Sequence, residues 1–293
     1  MRRRQMLAAL PLLASFPAWS ADAKLPVVAT FSVLADMVRR VGGDRVDVLS
    51  LVPVDGDAHE YQPTPEDLRH VRDAAVLVEN GLGLEGWMSR LPEAAGFHGV
   101  RIVAARDVAP RKMSEDGKTI TDPHAWQDPR NGVLYVRAIA TGLAKAMPGE
   151  TAAIAQRASA YIAEIETIEH WIAEQMAKIP KSQRRILTSH DAFGYYGARY
   201  GVELLSVQGI STEDEPSAAD IAKLIGQIKK LKVRAVFVEN MTNPRYAETV
   251  AHDSGAALGP AVYSDALSPP DGPAPTYLAM LRHNTTQFIA AMK

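Results

Sequence analysis

The chain has 293 residues, 47% apolar and 23% charged, with a formal net charge of −2 at pH 7 and no cysteine. That length admits one large domain or two modest ones, and the composition excludes a disordered or fibrous chain. The mildly acidic balance gives no electrostatic footprint for nucleic acid, and a disulfide framework is impossible.

Residues 1–20 stand apart. Arg2, Arg3 and Arg4 precede an apolar segment from Met6 to Ala18, and Ala18-Trp19-Ser20 fits a small-x-small cleavage pattern before Ala21. This reads as a secretory signal peptide and is excluded from the fold. Arg3-Arg4-Gln5-Met6-Leu7 also loosely resembles a twin-arginine export signal. Removing residues 1–20 takes away three Arg and no acid, so the mature charge becomes −5. No other stretch approaches the ~20 apolar residues of a membrane helix, and no cysteine follows the signal to carry a lipid. The expectation is a soluble periplasmic protein.

The mature chain alternates strands and helices. PVVATF (26–31) reads as a strand, and residues 32–43 as a helix with Ser32 as N-cap and Gly42/Gly43 at its end. VDVLSLVP (46–53) is the next strand. Thr64 caps the following helix, with Pro65 at its first position and Asp67 at its third. AVLVEN (75–80) is a strand, GLEGWMSRL (83–91) a short helix and VRIVAARD (100–107) a strand. Such short runs rich in Val, Ile and Leu suit strands buried on both faces of a parallel sheet. Residues 109–123 are polar and unpatterned and read as a loop, and Gly132–Met147 is helical. Glu150 to Lys178 forms one continuous helix with apolar residues at Ile154, Tyr161, Ile162, Ile165, Ile168, Trp171, Ile172 and Met176. At 1.5 Å per residue it is roughly 40 Å long, enough to span two lobes.

The second half repeats the alternation. RRILTSHD (184–191) ends a strand, AFGYYGARYG (192–201) is a short helix and VELLSVQGI (202–210) a strand. A helix follows over 216–232, a strand over 234–240, a helix over 244–255, a last strand over 257–265 and a closing helix over 276–293. The expected fold is α/β: two lobes with mostly parallel sheets flanked by helices, joined by one long rigid helix. The expected boundaries are 1–20 for the signal peptide, 21–149 for the first lobe, 150–179 for the linking helix and 180–293 for the second lobe.

Parallel sheets bind ligands beyond the carboxyl ends of their strands. Four side chains fall there: His59 after VDVLSLVP, His124 in DPHAWQDP, His190 in LTSHDAF and Asp265 in VYSDALS. Two come from each lobe, so the cleft between lobes is where all four can meet. Three imidazoles and one carboxylate complete a tetrahedral shell for a divalent ion. Pro63, Pro65 and the Thr64 cap restrict the loop that carries His59, which lowers the ordering cost of binding. Glu60 is an auxiliary candidate. His70, His98, His170, His252 and His283 sit in helices or turns at polar positions and read as structural.

GDAHEYQPTPEDL, DPHAWQDP, TSHDAFGYYGARYG, GISTEDEPSAADI and YSDALS, in this order, together resemble the cluster A-I zinc/manganese substrate-binding proteins of ABC importers. The resemblance covers nearly the whole mature chain. It implies two α/β lobes on a rigid helix, one metal buried between them, and ligands at His59, His124, His190 and Asp265. It also implies delivery of that metal to a membrane permease and its ATPase. The protein is expected to act as a monomer. Manganese members of the family usually carry Glu at the position of His190. Imidazole suits zinc, so three His and one Asp favour Zn2+, with Mn2+ as the alternative. This chain lacks the His-rich loop of many zinc members before His124, and it lacks the disulfide that some carry.

Two other classes share these ligands. A zinc hydrolase keeps an open coordination position and a nearby base, but the chain has no HExxH motif and offers a fourth ligand. An adhesin is the other, against which the missing lipidation cysteine counts.

Overall fold

The computed structural model describes residues 23–115, 118–212 and 215–293. The expected signal peptide and its cleavage site lie outside them. Helices and strands alternate in two units. In the first, β1 (Leu25–Ala29), α1 (Ser32–Gly42), β2 (Val46–Ser50), α2 (Pro65–Asp73), β3 (Val76–Glu79), α3 (Leu91–Ala95) and β4 (Val100–Val103) build a four-stranded sheet of order β2-β1-β3-β4. All three pairings are parallel. β3 is buried along its whole length, as its unbroken apolar run requires.

A hairpin, β5 (Lys112–Glu115) and β6 (Lys118–Thr121), leads into α4 (Pro129–Ala146) and the long α5 (Thr151–Ala177). The second unit comprises β7 (Arg185–Thr188), α6 (Gly194–Tyr200), β8 (Glu203–Ser206), α7 (Ala218–Leu231), β9 (Ala235–Phe237), α8 (Arg245–Ser254), β10 (Ala257–Leu258) and α9 (Tyr277–Met292). Its sheet has the order β10-β9-β7-β8 and is also parallel.

α5 packs on α1 and α4 of the first lobe and on α9, which in turn packs on β7 of the second. One continuous apolar core follows this path, from Phe31 and Trp126 through Tyr161 and Ile172 to Tyr277 and Phe288. Two smaller cores lie within single lobes. A wide hinge opening would expose the shared core to water, at about 25 cal/mol for each Å² of apolar surface. The lobes are therefore held at a fixed spacing.

Four local expectations are corrected. Ser32 is not the N-cap of α1: that position is Phe31, with no side-chain cap, and the Ser32 hydroxyl instead accepts the Leu267 N–H of the second lobe. The 109–123 loop contains the β5–β6 hairpin, whose strands are polar and so carry no apolar alternation. The last strand is shorter than 257–265: β10 ends at Leu258, with only a bridge from Glu239 to Val262 beyond it. Gly259 and Pro260 interrupt it there. The short helix expected over 83–91 is a 3-10 turn at Gly86–Ser89 followed by α3.

Candidate metal centre

His59 lies in the loop after β2. Asp57 shapes that loop: its Oδ1 accepts the His59 N–H at 2.8 Å, and its Oδ2 accepts the Thr212 hydroxyl from the other lobe at 2.7 Å. Asp55, at φ 57°, accepts Asn240 Nδ2 at 2.7 Å, a second tie across the cleft. Trp87 Nε1 donates to the Ala58 carbonyl. Downstream, Thr64 and Asp67 form the full capping box of α2. The loop is thus fixed at both ends.

His124 follows the hairpin in the long connection from β4 to α4. Asp122 Oδ1 accepts both its backbone N–H, at 3.0 Å, and its ring Nδ1, at 2.9 Å. Arg111 Nη1 reaches the other oxygen of Asp122 at 3.0 Å. His190 follows β7, and Glu239 treats it in the same way. Glu239 Oε1 accepts the His190 N–H at 3.0 Å, and Oε2 sits against His190 Nδ1. Asp265 follows the Val262 bridge. Its neighbour Ser264 donates to Glu239 Oε2 at 2.8 Å, and the Ser264 carbonyl accepts Trp126 Nε1 and Gln127 Nε2 from the first lobe.

The four side chains meet between the lobes, their ligand atoms all within 4.8 Å of one another. The Nε2 atoms of His59 and His124 are 3.2 Å apart, and those of His124 and His190 are 3.4 Å apart. Asp265 Oδ2 lies 3.2 Å, 3.3 Å and 3.7 Å from the Nε2 atoms of His59, His190 and His124. A tetrahedron of Zn–N bonds has edges of roughly 3.3 Å. His124, His190 and Asp265 are fully buried and His59 is 8% exposed, so His59 forms the solvent side. Neither Asp265 oxygen receives a well-formed hydrogen bond. Buried acceptors without donors are rare.

The electrostatics agree. Burial opposes charge on His124, but Asp265 and Asp122 prevail and push its pKa up to about 9. Burial likewise opposes charge on His190, and Glu239 and Asp265 hold its pKa well above the usual histidine value. Burial would raise Asp265, yet His124 and His190 keep its carboxyl well below the usual range. The pocket is built to hold positive charge.

The residues absent from the sequence reading are Asp122 and Glu239. Asp122 was visible within DPH, and Glu239 is the acid of FVEN just beyond β9, where the strand-end argument also applies. Glu60 is exposed and is not among the converging groups. His98, His170 and His252 are exposed, and His283 Nε2 bonds to the Ala261 carbonyl.

Comparisons with known proteins agree with this architecture. Residues 27–291 match the family model described as ZnuA, zinc-uptake complex component A, periplasmic. The manganese-binding lipoprotein MntA of Halalkalibacterium halodurans is 35% identical, over 92% of this chain and 88% of that one. The iron ABC transporter substrate-binding lipoprotein MtsA of Streptococcus pyogenes is 32% identical, over 89% of this chain and 86% of that one. The solved periplasmic zinc binding protein TroA from Treponema pallidum superposes with a TM-score of 0.87 at 28% identity, covering 92% of this chain and 99% of that one.

Proposed function

The chain belongs to the ZnuA family, and on that premise we propose that it captures zinc at His59, His124, His190 and Asp265 and hands it to the permease of an ABC transporter. The coarser statement needs no proposal: proteins of this family are periplasmic metal-binding components of ABC transporters, and they are not enzymes. We assign residues 21–149 and 180–293 to the lobes and 150–179 to the helix that fixes their spacing.

The observation that carries the reading is the convergence of three Nε2 atoms and one carboxylate oxygen at edges that suit a tetrahedral ion. Three imidazoles favour zinc, a borderline ion, over manganese, which prefers oxygen. Four protein ligands also close the coordination shell, which suits holding an ion rather than activating water on it.

Manganese is the second reading, because the 35%-identical relative is named as manganese-binding. Calorimetric titration of the mature chain, of His59→Ala and of His190→Ala with each metal tests the assignment. The expected result is one tight zinc site in the wild type, lost in both variants. Unchanged zinc binding in both variants would refute the ligand set.

A further inference from the structure

Glu239 stands in the turn after β9, fully buried. Two hydrogen-bond donors and one ring nitrogen in ion-pair contact converge on its two oxygens. The His190 backbone N–H reaches Oε1, while the Ser264 hydroxyl and the ring Nδ1 of His190 meet Oε2. Its own N–H is anchored on the Ser189 hydroxyl at 2.9 Å. One carboxylate thereby fixes both the segment carrying His190 and the residue before Asp265. Asp122 does the matching work for His124, but Arg111 shares its charge. Among the described residues no Lys or Arg is in ion-pair contact with Glu239, so His190 alone receives its charge.

We propose that Glu239 is a positioning residue that sets the metal preference of the site, by holding His190 with its proton on Nδ1 and its lone pair on Nε2, facing the metal. The inference rests on His190 being a ligand. A carboxylate behind an imidazole fixes the ring's tautomer and strengthens the nitrogen as a donor. A stronger imidazole donor benefits zinc more than manganese, which draws its affinity from oxygen ligands. Only a carboxylate meets the requirement, because both of its ends must accept. In Glu239→Gln the amide nitrogen faces either the backbone N–H or ring Nδ1. The first choice sets two donors against each other. The second pushes the His190 proton onto Nε2, the metal-facing atom.

Zinc and manganese affinities of the mature wild-type chain, Glu239→Gln and His190→Ala, measured in metal-buffered competition titrations, test this. Glu239→Gln is expected to lower zinc affinity about 10- to 100-fold and manganese affinity by a smaller factor, so that the preference for zinc narrows. Equal losses for both metals would leave Glu239 a structural role only and overturn the inference. Unchanged zinc affinity in Glu239→Gln, with binding lost in His190→Ala, would also overturn it while the ligand set stands. Unchanged zinc affinity in His190→Ala would remove the ligand assignment itself. A nitrogen-15 correlation spectrum of the zinc-loaded wild type tests the contact itself even where a variant fails to fold. A His190 Nδ1 proton shifted far downfield and slow to exchange, held by Glu239, is expected, and an Nδ1 proton that exchanges like that of a solvent-exposed imidazole would overturn the inference.

Discussion

Lowering the pH should expel the metal, and the structure sets how steeply. His124 has its pKa pushed up to about 9, burial opposing and Asp265 and Asp122 prevailing. At pH 7 that ring is protonated in metal-free protein and must lose its proton to bind zinc. That proton competes with zinc for the ring and lowers apparent affinity at pH 7. His190 is raised well above the usual histidine value and adds a second proton. Zinc uptake at pH 7 should therefore release about two protons, and apparent affinity should rise about a hundredfold per pH unit near neutrality. Calorimetry at fixed pH in two buffers of different ionisation enthalpy counts those protons. Release of essentially none would refute the reasoning, because the imidazoles would then be neutral before binding.

The same shifts govern stability, with opposite signs for the two kinds of group. His124 and His190, raised in the fold, stabilise the metal-free protein fully below the unfolded histidine value of about 6.5. That contribution fades as pH climbs through about 9 for His124. Asp265, lowered in the fold, contributes above the usual carboxylate range and loses its effect as pH falls. Both describe one shared attraction and are counted once.

The remaining predictions concern the frame. Thr212→Val removes the hydroxyl that ties Asp57 across the cleft; a loss of about 1 kcal/mol should speed zinc release about fivefold in stopped-flow chelation, and an unchanged rate would detach this tie from release. Gly142→Ala places a methyl 2.2 Å from Ile102 Cδ1; the clash of about 1–3 kcal/mol should outweigh the roughly 1 kcal/mol gain in helix propensity, and a stabilised variant in urea unfolding would contradict the close packing of α4 on β4. Thr64→Ala breaks the capping box of α2 at a cost of about 1 kcal/mol, seen as a melting point lower by roughly 2–4 °C; an unchanged melting point would mean the cap adds nothing.

The alternation of apolar runs with capped helices was enough to reach two parallel sheets on a long helix, because buried parallel strands are written as unbroken apolar segments. The convergence of His59, His124, His190 and Asp265 was legible because His59 and His190 follow strands of the parallel sheets, whereas His124 follows the antiparallel hairpin. What escaped depended on contacts between distant segments. Ser32 looks like a helix cap, yet its hydroxyl serves Leu267, 235 residues away. Glu239 and His190 are 49 residues apart, and nothing in either stretch names the other. The β5–β6 hairpin lacks apolar alternation, although the Asp116-Gly117 dipeptide between its strands is a hairpin signal that could have found it.

The central claim is that one zinc ion sits on His59, His124, His190 and Asp265. Its most direct test is native mass spectrometry of the mature chain from Ala21, stripped of metal and then offered manganese together with zinc at buffered, physiological free concentration. The account predicts one zinc per chain, absent from His190→Ala. A chain that keeps one manganese under those conditions would contradict the choice of metal, and a chain that takes up no metal would contradict the site.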